Sequence, residues 1–195
     1  MMIIGLTGNS GSGKSYVADI FLENGAYIVD ADKTAHQILE KNSITYNEIL
    51  EFFGDEILDT SGNINRKVLG KIVFNDKRKL KKLNEMTHKH ITDIIMHKIE
   101  NAKQQSYKLI VIDAPLLIET DLHKVCDKVI VVYADENVRL ERITERDGIA
   151  EIEAFNRIKN QTPFEKLKKY ADIVIFNSKN DNSLKHEVED IIKEF

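Results

Sequence analysis

Residues Gly8-Asn9-Ser10-Gly11-Ser12-Gly13-Lys14-Ser15 fit the spacing G-x-x-x-x-G-K-[ST]. Residues of these types in this order can hold a chain of phosphates. Glycines let successive backbone N–H groups turn inward, and a helix starting at the loop adds its partial positive charge. Lys14 can reach the outer phosphates, and the Ser15 hydroxyl can hold Mg²⁺. The flanks agree with this chemistry. Met2-Ile3-Ile4-Gly5-Leu6 reads as a buried strand, and Val17, Ala18, Phe21 and Leu22 recur at helical spacing.

Other polar residues recur where apolar runs stop. Thr7, Asp30, Asp32, Asp113, Asp135 and Asn177 each come just after such a run. In a parallel sheet covered by helices, ligands bind beyond the carboxyl ends of the strands. An aspartate in that place also suits a helix cap. Arg139, Arg142 and Arg146 are spaced so that one helix face can present all three. Glu141 and Glu145 interleave them, which equally suits a salt-bridged helix facing solvent. His88 and His90, two residues apart, do not share a helix face, which argues against a metal site.

The elements that position these residues alternate. Strands are expected at 26–29, 109–112, 128–133 and 173–176. Helices are expected over 33–53, closed by Gly54, and over 65–74, about 76–105 and about 182–194. Asp59-Thr60-Ser61-Gly62-Asn63 is a turn cluster. Continuous apolar strands separated by helices predict an α/β fold with a parallel sheet covered on both faces.

The 195 residues suit one domain. Its core is expected to comprise 1–32, 106–135 and 166–195, with a long helical insertion over 33–105. A net charge of −4 disfavours a general nucleic-acid surface. No apolar stretch approaches the ~18 residues of a membrane span. With the phosphate loop starting at residue 8, no signal peptide is expected ahead of it. The single cysteine, Cys126, reads as a small buried hydrophobe and fits a reducing compartment. The expected location is the cytoplasm, without membrane or nucleic-acid partners, as a monomer or small homo-oligomer.

The motifs together resemble those of dephospho-coenzyme A kinases. The resemblance runs through Ile4–Ser15, Ile28-Val29-Asp30-Ala31-Asp32 with Ala35-His36, and Asp113-Ala114-Pro115-Leu116-Leu117-Ile118-Glu119. It continues through Arg139-Leu140-Glu141-Arg142 with Arg146, Arg157-Ile158-Lys159-Asn160-Gln161, and Ala171–Ser178. Lys89 stands where the family usually has proline, and Phe176 where it often has aspartate.

The resemblance implies a P-loop NTPase three-layer fold whose insertion binds the acceptor and whose segment 136–165 is a lid. It implies that ATP, with Mg²⁺, phosphorylates the ribose 3′-hydroxyl of dephospho-coenzyme A, the last step of coenzyme A synthesis. Gly11, Ser12, Gly13, Lys14, Ser15, Tyr16 and Asn177 would contact the nucleotide. Thr7, Asp32, Leu116, Leu117 and His88 would contact the acceptor, although both leucines also suit a core. Asp32 is expected to be the base, on a strand neighbouring the first one, with Asp30 second in line. Lys14 and Arg142 are expected to act on the transferring phosphate. Two other readings stand beside this one. Asp59-Thr60-Ser61-Gly62 spells the D-x-x-G of a regulatory GTPase, but no N-K-x-D signature accompanies it. A catalytically silent binding protein would not need Lys14, Ser15, Asp32 and Arg142 intact.

Overall fold

The central strand is β1 (Met2–Gly8), whose residues from Ile3 onward are all buried. The computed structural model describes residues 1–178 and 183–195. After β1 come α1 (Lys14–Glu23), β2 (Tyr27–Asp30), α2 (Ala31–Gln37), α3 (Ile44–Phe53), α4 (Arg66–Phe74) and α5 (Lys77–Gln104). The chain continues with β3 (Leu109–Asp113), β4 (Lys128–Tyr133), α6 (Glu136–Asp147), α7 (Glu151–Lys159), α8 (Phe164–Leu167), β5 (Ile173–Phe176) and α9 (Ser183–Lys193). Residue 182, at the expected start of the last helix, lies outside the described residues.

The five strands have the order β2-β3-β1-β4-β5. Leu6 lies opposite Asp113 of β3 and Ile130 of β4 in parallel registers. This aligns the carboxyl ends of the inner strands and gathers their outgoing loops on one edge. The expectation that the strand before Asp32 neighbours β1 is corrected here, because β3 lies between them. A helix is about 10–12 Å across, roughly two strand spacings of about 4.8 Å. The β1–α1–β2 crossover therefore leaves one strand's room, which β3 later fills.

The chain divides into two units, Met1–Val29 with Asn101–Phe195, and Asp30–Glu100. In the first, Ile4, Leu6, Val111, Ile130, Val132 and Ile175 pack beneath Val17, Ile20 and Phe21 of α1 and Leu184 and Val188 of α9. In the second, Tyr46, Ile49, Phe53, Ile57, Ile64, Leu69 and Val73 form a separate core, flanked by Leu80, Leu83 and Met86 of α5.

The helix expected over 33–53 is two helices. Asn42 takes a left-handed conformation (φ 69°), which no helix interior tolerates. Ser43 then restarts the helix: its Oγ accepts the Tyr46 N–H at 2.9 Å and donates to the Ile38 carbonyl at 2.5 Å. Helix α4 begins in the same way, with Asn65 Oδ1 accepting from the N–H groups of Lys67 and Val68. Replacing Asn65 with Ala is expected to cost about 1 kcal/mol, read by urea unfolding.

Candidate active site

The loop between β1 and α1 turns on two glycines in left-handed conformations. Gly11 (φ 80°) passes so near α6 that a Cβ there would lie 2.8 Å from the Arg139 carbonyl oxygen. At Gly13 (φ 90°) a Cβ would collide with Asn177 Nδ2. Ser12 is buried, its N–H donating to the Asn9 carbonyl at 3.0 Å. Lys14 opens α1, and its ammonium pairs with the carboxylate of Asp113, the last residue of β3. Both side chains are 13% exposed, so this charge pair is partly shielded from water. Ser15 and Tyr16 come next, on the exposed side of the helix.

Residues from the far end of the chain close over this loop. Asn177, just past β5, donates from Nδ2 to the Ser12 carbonyl at 2.8 Å. Arg142 Nη1 donates to the Asn177 carbonyl at 2.9 Å and to the Gly11 carbonyl at 3.4 Å. Arg139 Nε donates to the Ser10 carbonyl at 2.9 Å. Arg139 is only 7% exposed, and burial pushes its pKa below the usual guanidinium value. Arg146 reaches Ser10 Oγ at 3.5 Å and pairs with Asp147, which Arg157 also holds at 2.6 Å. The Arg146 guanidinium, with Arg157 behind it, lowers the Asp147 carboxyl to about 2. One face of α6 thus presents all three arginines to the phosphate loop. A helix whose arginines only meet solvent and their own glutamates does not describe it.

The residues expected at the acceptor fall into three places. Thr7 is fully buried, and its hydroxyl donates to the Pro115 carbonyl at 3.2 Å. Leu117 is fully buried too, packed so closely over Gly5 that a Cβ there would lie 2.6 Å from its Cδ2. Leu117 is therefore a core residue, whereas Leu116 is 56% exposed. Asp32 and His88 belong to the second unit. Asp30 caps α2 by accepting the Lys33 N–H at 2.7 Å. Asp32 stands in the first turn of that helix with its side chain exposed, so capping is Asp30's task. His88 is half-buried on α5.

The profile of the dephospho-CoA kinase family matches residues 2–184. The chain belongs to that family. A dephospho-CoA kinase of Aquifex aeolicus is 46% identical over 91% of this chain and 89% of its own length. One from Fusobacterium nucleatum is 44% identical, covering 97% and 96%. The solved dephospho-CoA kinase of Campylobacter jejuni superposes with a TM-score of 0.73 at 30% identity, covering 98% of this chain and 96% of that one. The fold is accordingly that of the P-loop NTPases.

Family membership makes the chain an ATP-dependent kinase. Its most informative contact beyond the sequence motif is the Lys14–Asp113 pair. Nothing in the spacing of residues 14 and 113 announces it; only the adjacency of β1 and β3 does. The resemblance singles out Arg139 no more than its neighbours, yet it is the arginine most deeply tied to the loop. Cys126 is half-buried, and burial, with the Asp127 charge beside it, pushes its thiol up to about 12. Both effects favour the protonated thiol, the less nucleophilic form.

Proposed function

We propose that Asp32, Lys14 and Arg142 carry the chemistry by which this kinase converts dephospho-CoA and ATP to coenzyme A and ADP. The ribose 3′-oxygen forms a bond to the γ-phosphorus, and the bond from that phosphorus to the bridging oxygen of ADP breaks. The 3′-hydroxyl proton passes to the Asp32 carboxylate, which is exposed and not consumed in capping. Lys14 meets charge on the outer phosphates, where loop amides and the α1 N-terminus already favour anions. Arg142 adds positive charge as the transition state forms. Leu116 lines the acceptor side, and Asn177 the nucleotide side. The observation that carries this reading is the closed loop, with Lys14 on Asp113 and Arg142 on the Gly11 and Asn177 carbonyls.

Magnesium fits the donor set. The Ser15 hydroxyl, in the first turn of α1, is a hard oxygen ligand. Among the described residues no cluster of three or more His, Cys, Asp or Glu could hold a metal by itself. Mg²⁺ is commonly held by one or two protein oxygens while it keeps several waters and shares itself with substrate phosphates. When bound, it neutralises charge between the outer phosphates. We also assign the enzyme to the cytoplasm, on the strength of its lone cysteine, and read it as a monomer or small homo-oligomer. Among the described residues no helix is long and apolar enough to cross a membrane.

The direct test measures ATP consumption with dephospho-CoA beside AMP, adenosine and shikimate. Turnover confined to dephospho-CoA supports the reading; faster turnover with AMP or adenosine rejects it. For Arg142→Ala, we expect turnover to fall about tenfold, equivalent to ~1.4 kcal/mol of transition-state stabilisation. Dephospho-CoA binding should change less than turnover. An equal, small loss from Ala at 139, 142 and 146 would remove Arg142 from its role.

A further inference from the structure

Two consecutive residues between α7 and α8, Gln161 and Thr162, collect bonds from three distant segments. Asn9 of the phosphate loop donates from Nδ2 to the Thr162 carbonyl at 3.0 Å. Thr162 Oγ1 donates to Glu119 Oε1 at 2.5 Å. Arg139 Nη2 donates to Gln161 Oε1 at 2.5 Å, while its Nε holds the Ser10 carbonyl. None of these bonds is required by a helix or a strand. Each spends a side chain on joining segments that the sheet already brings near one another.

Glu119 closes the segment after β3. That segment is a tight, internally bonded turn. The Ala114 N–H donates to the Leu6 carbonyl of β1, and the Leu117 N–H to the Ala114 carbonyl. The Thr120 N–H and Oγ1 both donate to the Leu116 carbonyl. Holding Glu119 therefore holds Leu116, the exposed leucine of the turn. The bond to Glu119 is charge-assisted, and such bonds are shorter and stronger than neutral ones.

We propose that Thr162 is a positioning residue for the transfer. Its hydroxyl fixes the acceptor-side turn through Glu119, and its carbonyl fixes the phosphate loop through Asn9. One anchor thus sets the register between the part that holds the nucleotide and the part that lines the acceptor. Acceptor binding depends on that register, because an exposed lining residue contributes only where its turn is held. The inference rests on the acceptor-lining role proposed for Leu116.

Thr162→Val keeps the shape and the carbonyl and removes the donor. We expect it to raise KM for dephospho-CoA about tenfold, the equivalent of ~1.4 kcal/mol, with KM for ATP and the melting temperature unchanged. Thr162→Ser should restore the wild-type KM, since it returns the hydroxyl. Glu119→Ala should raise the same KM, and the double variant should be no worse than the more affected single variant. An unchanged acceptor KM, additive effects, or an equal rise in both KM values with a lower melting temperature would each overturn the proposal. Should Thr162→Val not fold, Glu119→Ala alone decides by the same KM split. Leu116→Ala tests the underlying reading separately. An unchanged acceptor KM there rejects the lining role, whatever Thr162 does.

Discussion

Asp32→Asn is expected to lower turnover by about 10²–10⁴-fold, the usual contribution of a positioned general base. The substitution keeps size and polarity and removes the negative charge and most of the proton affinity. A sugar hydroxyl is a poor nucleophile near neutral pH, so the loss should fall on kcat. ATP binding should change little, because the phosphate loop belongs to the other unit of the chain. Steady-state kinetics and nucleotide titration on a variant with an unchanged melting temperature make the comparison. Asp30→Asn supplies the contrast. Asp30 is occupied as the α2 cap, and an amide oxygen caps about as well as a carboxylate. Its variant should therefore keep most of the turnover. A fully active Asp32→Asn enzyme would remove Asp32 from the mechanism and make Asp30 or Asp113 the next candidate.

Lys14→Ala is expected to lower turnover by roughly 10²-fold or more, as for other preorganised donors to developing charge. The structure adds a second consequence. Lys14 is paired with Asp113 at 13% exposure, so the variant also removes the ammonium from beside that carboxylate. The outer phosphates would then meet a negative charge, and ATP affinity should fall along with turnover. Lys14→Ala combined with Asp113→Asn should recover part of the affinity and little of the turnover. Nucleotide titration and kinetics on both variants separate the two effects. Near-normal turnover in a folded Lys14→Ala protein would defeat the role given to this lysine.

Much of the architecture is carried by local pattern. The strand beginning at Met2, the helix beginning at Lys14 and the strands ending at Asp113, Tyr133 and Phe176 arise from runs of apolar residues and their periods. The turn at 59–63 arises from its small polar residues, and Asp59 Oδ1 does accept the Ser61 and Asn63 N–H groups there. The break at Asn42-Ser43 is not legible in the same way. The stretch 33–53 keeps enough helix formers to look continuous, and the cap at Ser43 competes with that pattern only through hydrogen bonds of its own.

The sequence by itself determined the features that depend on neighbours along the chain: the phosphate loop between a strand and a helix, the alternating elements, and the family. Features that depend on which strand lies beside which were left to the tertiary structure. They include β3 standing between β1 and β2 and Asp113 meeting Lys14. They also include Leu117 in the core while Leu116 is exposed, and Asn177, Arg139 and Thr162 gripping the loop. The physical reason is range. A helix or a turn is stabilised by groups a few residues apart, which the order of residue types records. A side chain bonded to a loop more than a hundred residues away is placed by the packing of the whole sheet.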